Sequence, residues 1–248
     1  MADEENEQSP FSRPSFIVAA VVVAALVVAG VIVGVNIATR DDDGDGAQPA
    51  PSTSTSAVPS TEPTADAGGA SVCGLAGRKM DGALTRAPSV DEWVFQGTVA
   101  YPWSSQYGPA ETDKAGGFKF CFQQSPEGAA YAAAYSLAVA TDRAVVPAWL
   151  EYFAAPGPYR DSFLEPSMSS SDTSARLRLE GFRMLSYDGT TARVDLAVLA
   201  SAENQTINGS FIYNLVWSEG DWKIDTSTAE PGNFSTIPDF SGYVAWSE

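Results

Sequence analysis

Histidine is absent from the chain and cysteine occurs twice. Without imidazole it lacks the commonest general base near neutral pH and the commonest zinc and iron ligand. Two cysteines cannot furnish a four-thiolate zinc or iron–sulfur site. Basic residues are scarce as well: 14 Lys+Arg against 31 Asp+Glu give a net charge of −17. That sign is wrong for following a phosphate backbone, so nucleic acid is excluded as a partner. Also missing are GxSxG, a P-loop, HExxH and a paired-glycine dinucleotide turn. The chain is therefore read as non-enzymatic, with no catalytic residues, no cofactor and no metal site.

What it does have, near its start, is a long apolar run. From Phe16 to Ile37 no residue is charged, and Asn36 is the one strongly polar side chain. About 20 such residues cross a bilayer core of about 30 Å, so residues 16–38 are read as a transmembrane helix. A cleavable signal peptide would carry a basic leader and an apolar core of about 7–15 residues. Here Asp3, Glu4, Glu5 and Glu7 outweigh Arg13, and the segment reads as an uncleaved anchor. Arg13 and Arg40 flank it symmetrically, so orientation rests on the residues C-terminal to it. Residues 39–70, acidic and then rich in Pro, Ser, Thr and Ala, lack apolar periodicity and are expected to form a disordered stalk. A stalk lifting a cysteine-containing domain off a membrane suits the outside of a cell. Residues 1–15 then form a cytoplasmic tail, and residues 71–248 a domain outside the cell membrane. Gly30, Gly34 and Ala38 share the spacing that lets two membrane helices approach closely. Self-association through this face competes with the plain reading that a Gly/Ala/Val-rich anchor produces such spacings by chance.

Residues 71–248 carry 12 Lys+Arg and 21 Asp+Glu, a net charge of −9. Cys73 and Cys121 flank an irregular region; outside the membrane they are expected to pair rather than remain two buried thiols. Closing a loop of that length is worth about 4 kcal/mol on the chain-entropy model. Trp93–Phe95, Thr98–Tyr101 and Phe118–Phe122 read as short strands. Ser125-Pro126-Glu127 supplies a cap, a proline at the first helical position and an acid in the first turn of an alanine-crowded helix. Val146-Pro147 opens a second helix with Trp149, Leu150 and Phe153 on one face, and residues 156–165 add a third short turn. The period then becomes two. Leu177 and Leu179 share one parity, Phe182 and Met184 the other, and Gly181 between them predicts a β-bulge. Asp188-Gly189 predicts a hairpin turn, followed by a strand aligning Ala192, Val194, Leu196, Val198 and Ala200. Asn208-Gly209 is expected to precede a third strand with Phe211, Tyr213, Leu215 and Trp217 aligned. A turn at Glu219-Gly220-Asp221 leads back through Trp222 and Ile224. The resulting expectation is an α+β domain with two or three helices on a bent four-stranded antiparallel sheet. The last stretch, with Phe234, Ile237, Phe240, Tyr243 and Trp246, is expected to fold back on the domain; the rival reading is a docking segment.

This order of elements resembles the cone-shaped, nuclear-transport-factor-like fold that forms the outer domain of the bitopic component of type IV secretion machines. A closer resemblance is to uncharacterised single-pass proteins encoded on conjugative elements of high-GC Gram-positive bacteria. It is carried by Cys73-Gly74, Trp93, Pro102, Gly108-Pro109, Cys121-Phe122, Pro126-Glu127-Gly128-Ala129 and Gly242-Tyr243-Val244. The resemblance implies a membrane-anchored structural component of a conjugation or type IV-like secretion apparatus, with other apparatus proteins and the membrane as partners. Two alternatives stay open. One is a surface-tethered binding protein for a peptide, lipid or glycan. The other is a cone-fold isomerase or dehydratase, in which Tyr131, Tyr135, Tyr152 and Asp195 would line the cavity; their plain reading is core packing and a surface ion pair.

Overall fold

A computed structural model describes residues 71–165, 176–202, 205–230 and 232–248. The segments read as tail, membrane helix and stalk, with Gly30, Gly34 and Ala38, lie outside the described residues. Among the described residues no helix is long and apolar enough to cross a membrane.

The first regular piece is a hairpin of β1 (Glu92–Gln96) and β2 (Val99–Trp103). Its turn uses Gly97 at φ +58°, where a Cβ would strike Thr141. A second, minimal pair comes next, β3 (Glu111–Thr112) with β4 (Lys119–Phe120). Helix α1 (Pro126–Val139) starts where the capping signal places it: the Ser125 side chain accepts the Gly128 N–H at 3.0 Å. Every α1 residue except Glu127 is buried. A helix buried on all sides needs small side chains wherever it meets a neighbour, and alanine meets that need. It lies between the β1–β2 hairpin and the main sheet, touching β2 most extensively. Two short helices come after it, α2 (Val146–Phe153) and α3 (Arg160–Leu164). Trp149 and Phe153 of α2 enter the core fully buried.

The main sheet is built on β5 (Arg176–Tyr187), β6 (Thr191–Ala202) and β7 (Gln205–Ser218), each antiparallel to the next. Ala192, Val194, Leu196, Val198 and Ala200 of β6 are all buried. Register shifts in β5 leave Glu180 and Leu185 as extra residues. The next strand, β8 (Asp221–Ile224), returns along one part of β7 after a turn through Glu219 and Gly220. Both turn residues have positive φ, +54° and +79°, the conformation of a tight hairpin turn with a mirror-image backbone. The terminal stretch then adds two further strands. β9 (Gly232–Thr236) pairs with the remaining part of the same β7 edge, and β10 (Val244–Ala245) pairs with the free edge of β5.

The fold therefore corrects the expected α+β class. Among the described residues strand outweighs helix by 40% to 16%, and the sheet has six antiparallel strands rather than four. The principal helix is sandwiched between sheet and hairpin instead of joining two others over one sheet face. Two physical reasons account for the difference. Asn208-Gly209 is no turn: it lies inside β7, paired with Leu199 and Val198. The terminal stretch is broken by Pro, Gly and Ser into pieces too short to show a period of two, yet short pieces suffice on an existing sheet edge. Gly181 admits the last of them, since a Cβ there would sit 2.5 Å from the Val244 carbonyl. Trp246, 4% exposed, closes this corner against Phe182, Tyr131 and Trp93 at ring-centroid distances of 5.1, 5.1 and 6.2 Å.

Candidate functional site

The four residues offered by the sequence as cavity-lining groups are not gathered by the structure. Tyr131 donates its hydroxyl to the Ser89 carbonyl at 2.7 Å, and the Tyr135 hydroxyl accepts the Lys119 N–H at 2.7 Å. Burial pushes both phenols well above their ordinary pKa, so neither is poised to exchange a proton. Asp195 sits on the face of β6 opposite Val194 and Leu196. Its carboxylate is fully buried and accepts from Arg183 Nη2 at 2.6 Å, Ser210 Oγ at 2.7 Å and Tyr243 Oη at 2.8 Å. The guanidinium also covers the Tyr243 ring at 4.0 Å, and its hydrogen bond to Asp195 raises its pKa. This cluster fastens the terminal stretch to the sheet.

Tyr152 belongs to a different cluster, centred on a residue that sequence reasoning left in a turn. Asp221 opens β8 and is fully buried. Its Oδ2 accepts the Cys121 N–H at 2.7 Å and the Tyr152 hydroxyl at 3.1 Å; its Oδ1 accepts the N–H groups of Phe122 at 2.8 Å and Trp222 at 2.9 Å. Burial pushes the carboxyl up to about 6, against the pull of these donors. Cys121 has φ +70°, a left-handed conformation that costs a non-glycine residue about 1–3 kcal/mol unless its surroundings hold it. Asp221 supplies that hold by gripping two successive N–H groups. Cys121 is also joined to Cys73 in a disulfide, with Cα atoms 6.0 Å apart. No local sequence signal marks Asp221; the fold buries all four residues of DWKI, so its acid is satisfied internally. Lys223, in the same strand, stands 4.6 Å over the Tyr152 ring and pairs with Glu219. Among the described residues no group of three metal-ligating side chains occurs.

A surface groove of about 380 Å³ remains. It lies where the β1–β2 hairpin overhangs the first residues of β5, lined by Phe95, Ala100, Leu177 and Leu199 with Arg176, Arg178 and Glu248 around them. Phe95 is 63% exposed. Arg178 reaches Glu180 Oε1 at 2.6 Å, while Arg176 has no ion-pair partner among the described residues. Its floor is apolar and its rim carries two arginines and Glu248, a surface suited to binding.

A family model described as a domain of unknown function (DUF8175) matches residues 51–245, taking in the last part of the segment read as stalk. No curated protein and no solved structure matches the chain significantly.

Proposed function

The chain belongs to the DUF8175 family, and we propose that it is a non-catalytic, membrane-anchored assembly component whose outer domain works by binding other proteins. The observation that supports this is the state of its acid–base groups. Asp195, Asp221, Tyr131, Tyr135 and Tyr152 each have a partner within the protein. The groove offers apolar surface rimmed by charges of both signs instead. The resemblance to single-pass proteins of conjugative elements gives the class of assembly, a conjugation or type IV-like secretion apparatus. In this reading the apolar run at 16–38 holds the chain in the cell membrane, with the N-terminus in the cytoplasm and the domain outside.

Crosslinking in intact cells tests the reading. The full chain is expected to crosslink to itself and to other membrane proteins, and protease added outside the cell to remove the domain. Turnover of a small substrate by the purified chain would overturn it, as would undiminished plasmid transfer after deletion of the gene from its element.

A further inference from the structure

The disulfide between Cys73 and Cys121 presents its two ends unequally. Cys121 is fully buried, whereas Cys73 is exposed. Cys73 sits in a surface turn closed by the Gly74 N–H on the Ser71 carbonyl at 3.0 Å. Val72 beside it is 50% exposed, and a Cβ built on Gly74 would meet nothing within 4 Å. The turn is therefore open to an approaching molecule. The buried sulfur has a partner of its own. Ser71 Oγ lies 3.5 Å from Cys121 Sγ and accepts the Leu75 N–H at 2.6 Å. A disulfide sulfur carries no hydrogen, so the Ser71 hydroxyl is the donor to it. Asp221 holds the N–H groups of Cys121 and Phe122, a grip that does not depend on the sulfur–sulfur bond.

We propose that Cys73 is a thiol-exchange site, modified by a small thiol, with Cys121 as the leaving and then the resolving cysteine. Exchange proceeds by attack of a thiolate on one sulfur of the pair, and access decides which one. Here the thiolate RS⁻ bonds to the Cys73 sulfur, the Cys73–Cys121 bond breaks, and its electron pair leaves with Cys121. The products are a mixed disulfide at Cys73 and a Cys121 thiolate, with no net oxidation or reduction. The Ser71 hydroxyl steadies the negative charge as it forms, because a hydrogen bond to an ionised acceptor is stronger than the neutral one it replaces. Asp221 keeps the Cys121 backbone in place, so the reverse step stays available: the Cys121 thiolate attacks the Cys73 sulfur, restores the original bond and expels RS⁻. A crosslink with both ends buried would offer no such entry point. This chemistry lies apart from the assembly role and does not rest on it.

Glutathione is the probe. The full chain in detergent micelles, its disulfide intact, is incubated with glutathione at about pH 8, trapped with N-ethylmaleimide and mapped by peptide mass spectrometry. Glutathione is expected on Cys73 with maleimide on Cys121, and the reverse pattern about tenfold more rarely. Removing free glutathione before trapping should restore the native disulfide. Ser71→Ala is expected to slow the first step about threefold, the effect of one hydrogen bond on a leaving group, and Ser71→Thr to keep the original rate. The rate in the unaltered chain should stay flat as urea is raised below the unfolding transition. Glutathione on Cys121, equal labelling of both cysteines, or a rate that climbs with the unfolded fraction overturns the proposal without relying on any variant. A Ser71→Ala chain that reacts as fast as the original overturns the assigned leaving group.

Discussion

Asp221 carries a pH dependence whose sign is set by its surroundings. In the unfolded chain it releases its proton near 3.8, whereas burial holds the proton in the folded chain up to about 6. Across that window the folded state binds more protons, so this residue's contribution to stability falls as pH rises. Two units correspond to at most about 3 kcal/mol. Asp188 behaves in the opposite way: hydrogen bonds from Thr191 and Thr190 hold its carboxyl well below the ordinary value, so its contribution is lost at lower pH, outside the same window. Asp221→Asn removes the titration and leaves an amide facing backbone donors, a mismatch worth about 1–3 kcal/mol. Urea unfolding of both proteins from pH 4 to pH 6 should show the wild-type advantage shrinking as pH rises. A constant gap would show that Asp221 does not titrate there.

At the scale of elements, the terminal strands behave as part of the core. Trp246 is buried among three aromatic rings, so Trp246→Ala is expected to cost about 3–5 kcal/mol, read as a lower urea midpoint. Removing residues 232–248 should destabilise further, because β9 and β10 go with it; an unchanged midpoint would return the stretch to the role of a docking tail. Local signals of strong chemistry were legible in the sequence: Ser125-Pro126 at the start of α1, Gly181 at the bulge, and the aligned apolar residues of β6 and β7. The strand count was not. Val244-Ala245 is a strand only because β5 presents a free edge, and Asn208-Gly209 stays extended because β6 and β9 pair on either side of it. Both outcomes are decided by distant parts of the chain. The groove was illegible for the same reason, since Phe95 and Arg176 are brought together by the fold and no local spacing links them. Asp221 was hidden by its own turn, where an acid beside glycine reads as a solvated corner.

The whole molecule is acidic, and residues 71–248 alone carry −9. In the proposed assembly, domains held on neighbouring anchors would repel one another at low ionic strength, and salt would relieve the repulsion as the screening length shortens to about 10 Å near 0.1 M. Sedimentation of the full chain in detergent is expected to show self-association growing as NaCl is raised from about 0.02 M to about 0.5 M. Association that weakens with salt would mean attraction between opposite charges governs it instead. The crosslink between Cys73 and Cys121 has a mechanical consequence in such an assembly. Val72 is fixed to the Gly220 carbonyl at 2.7 Å, and the next residue is bonded covalently to a cysteine 48 positions ahead. Tension arriving along the tether passes at once to the strand of backbone that Asp221 grips. The intervening loop, with its hairpin overhanging the groove, bears none of that load and keeps its shape while the rest of the domain is pulled.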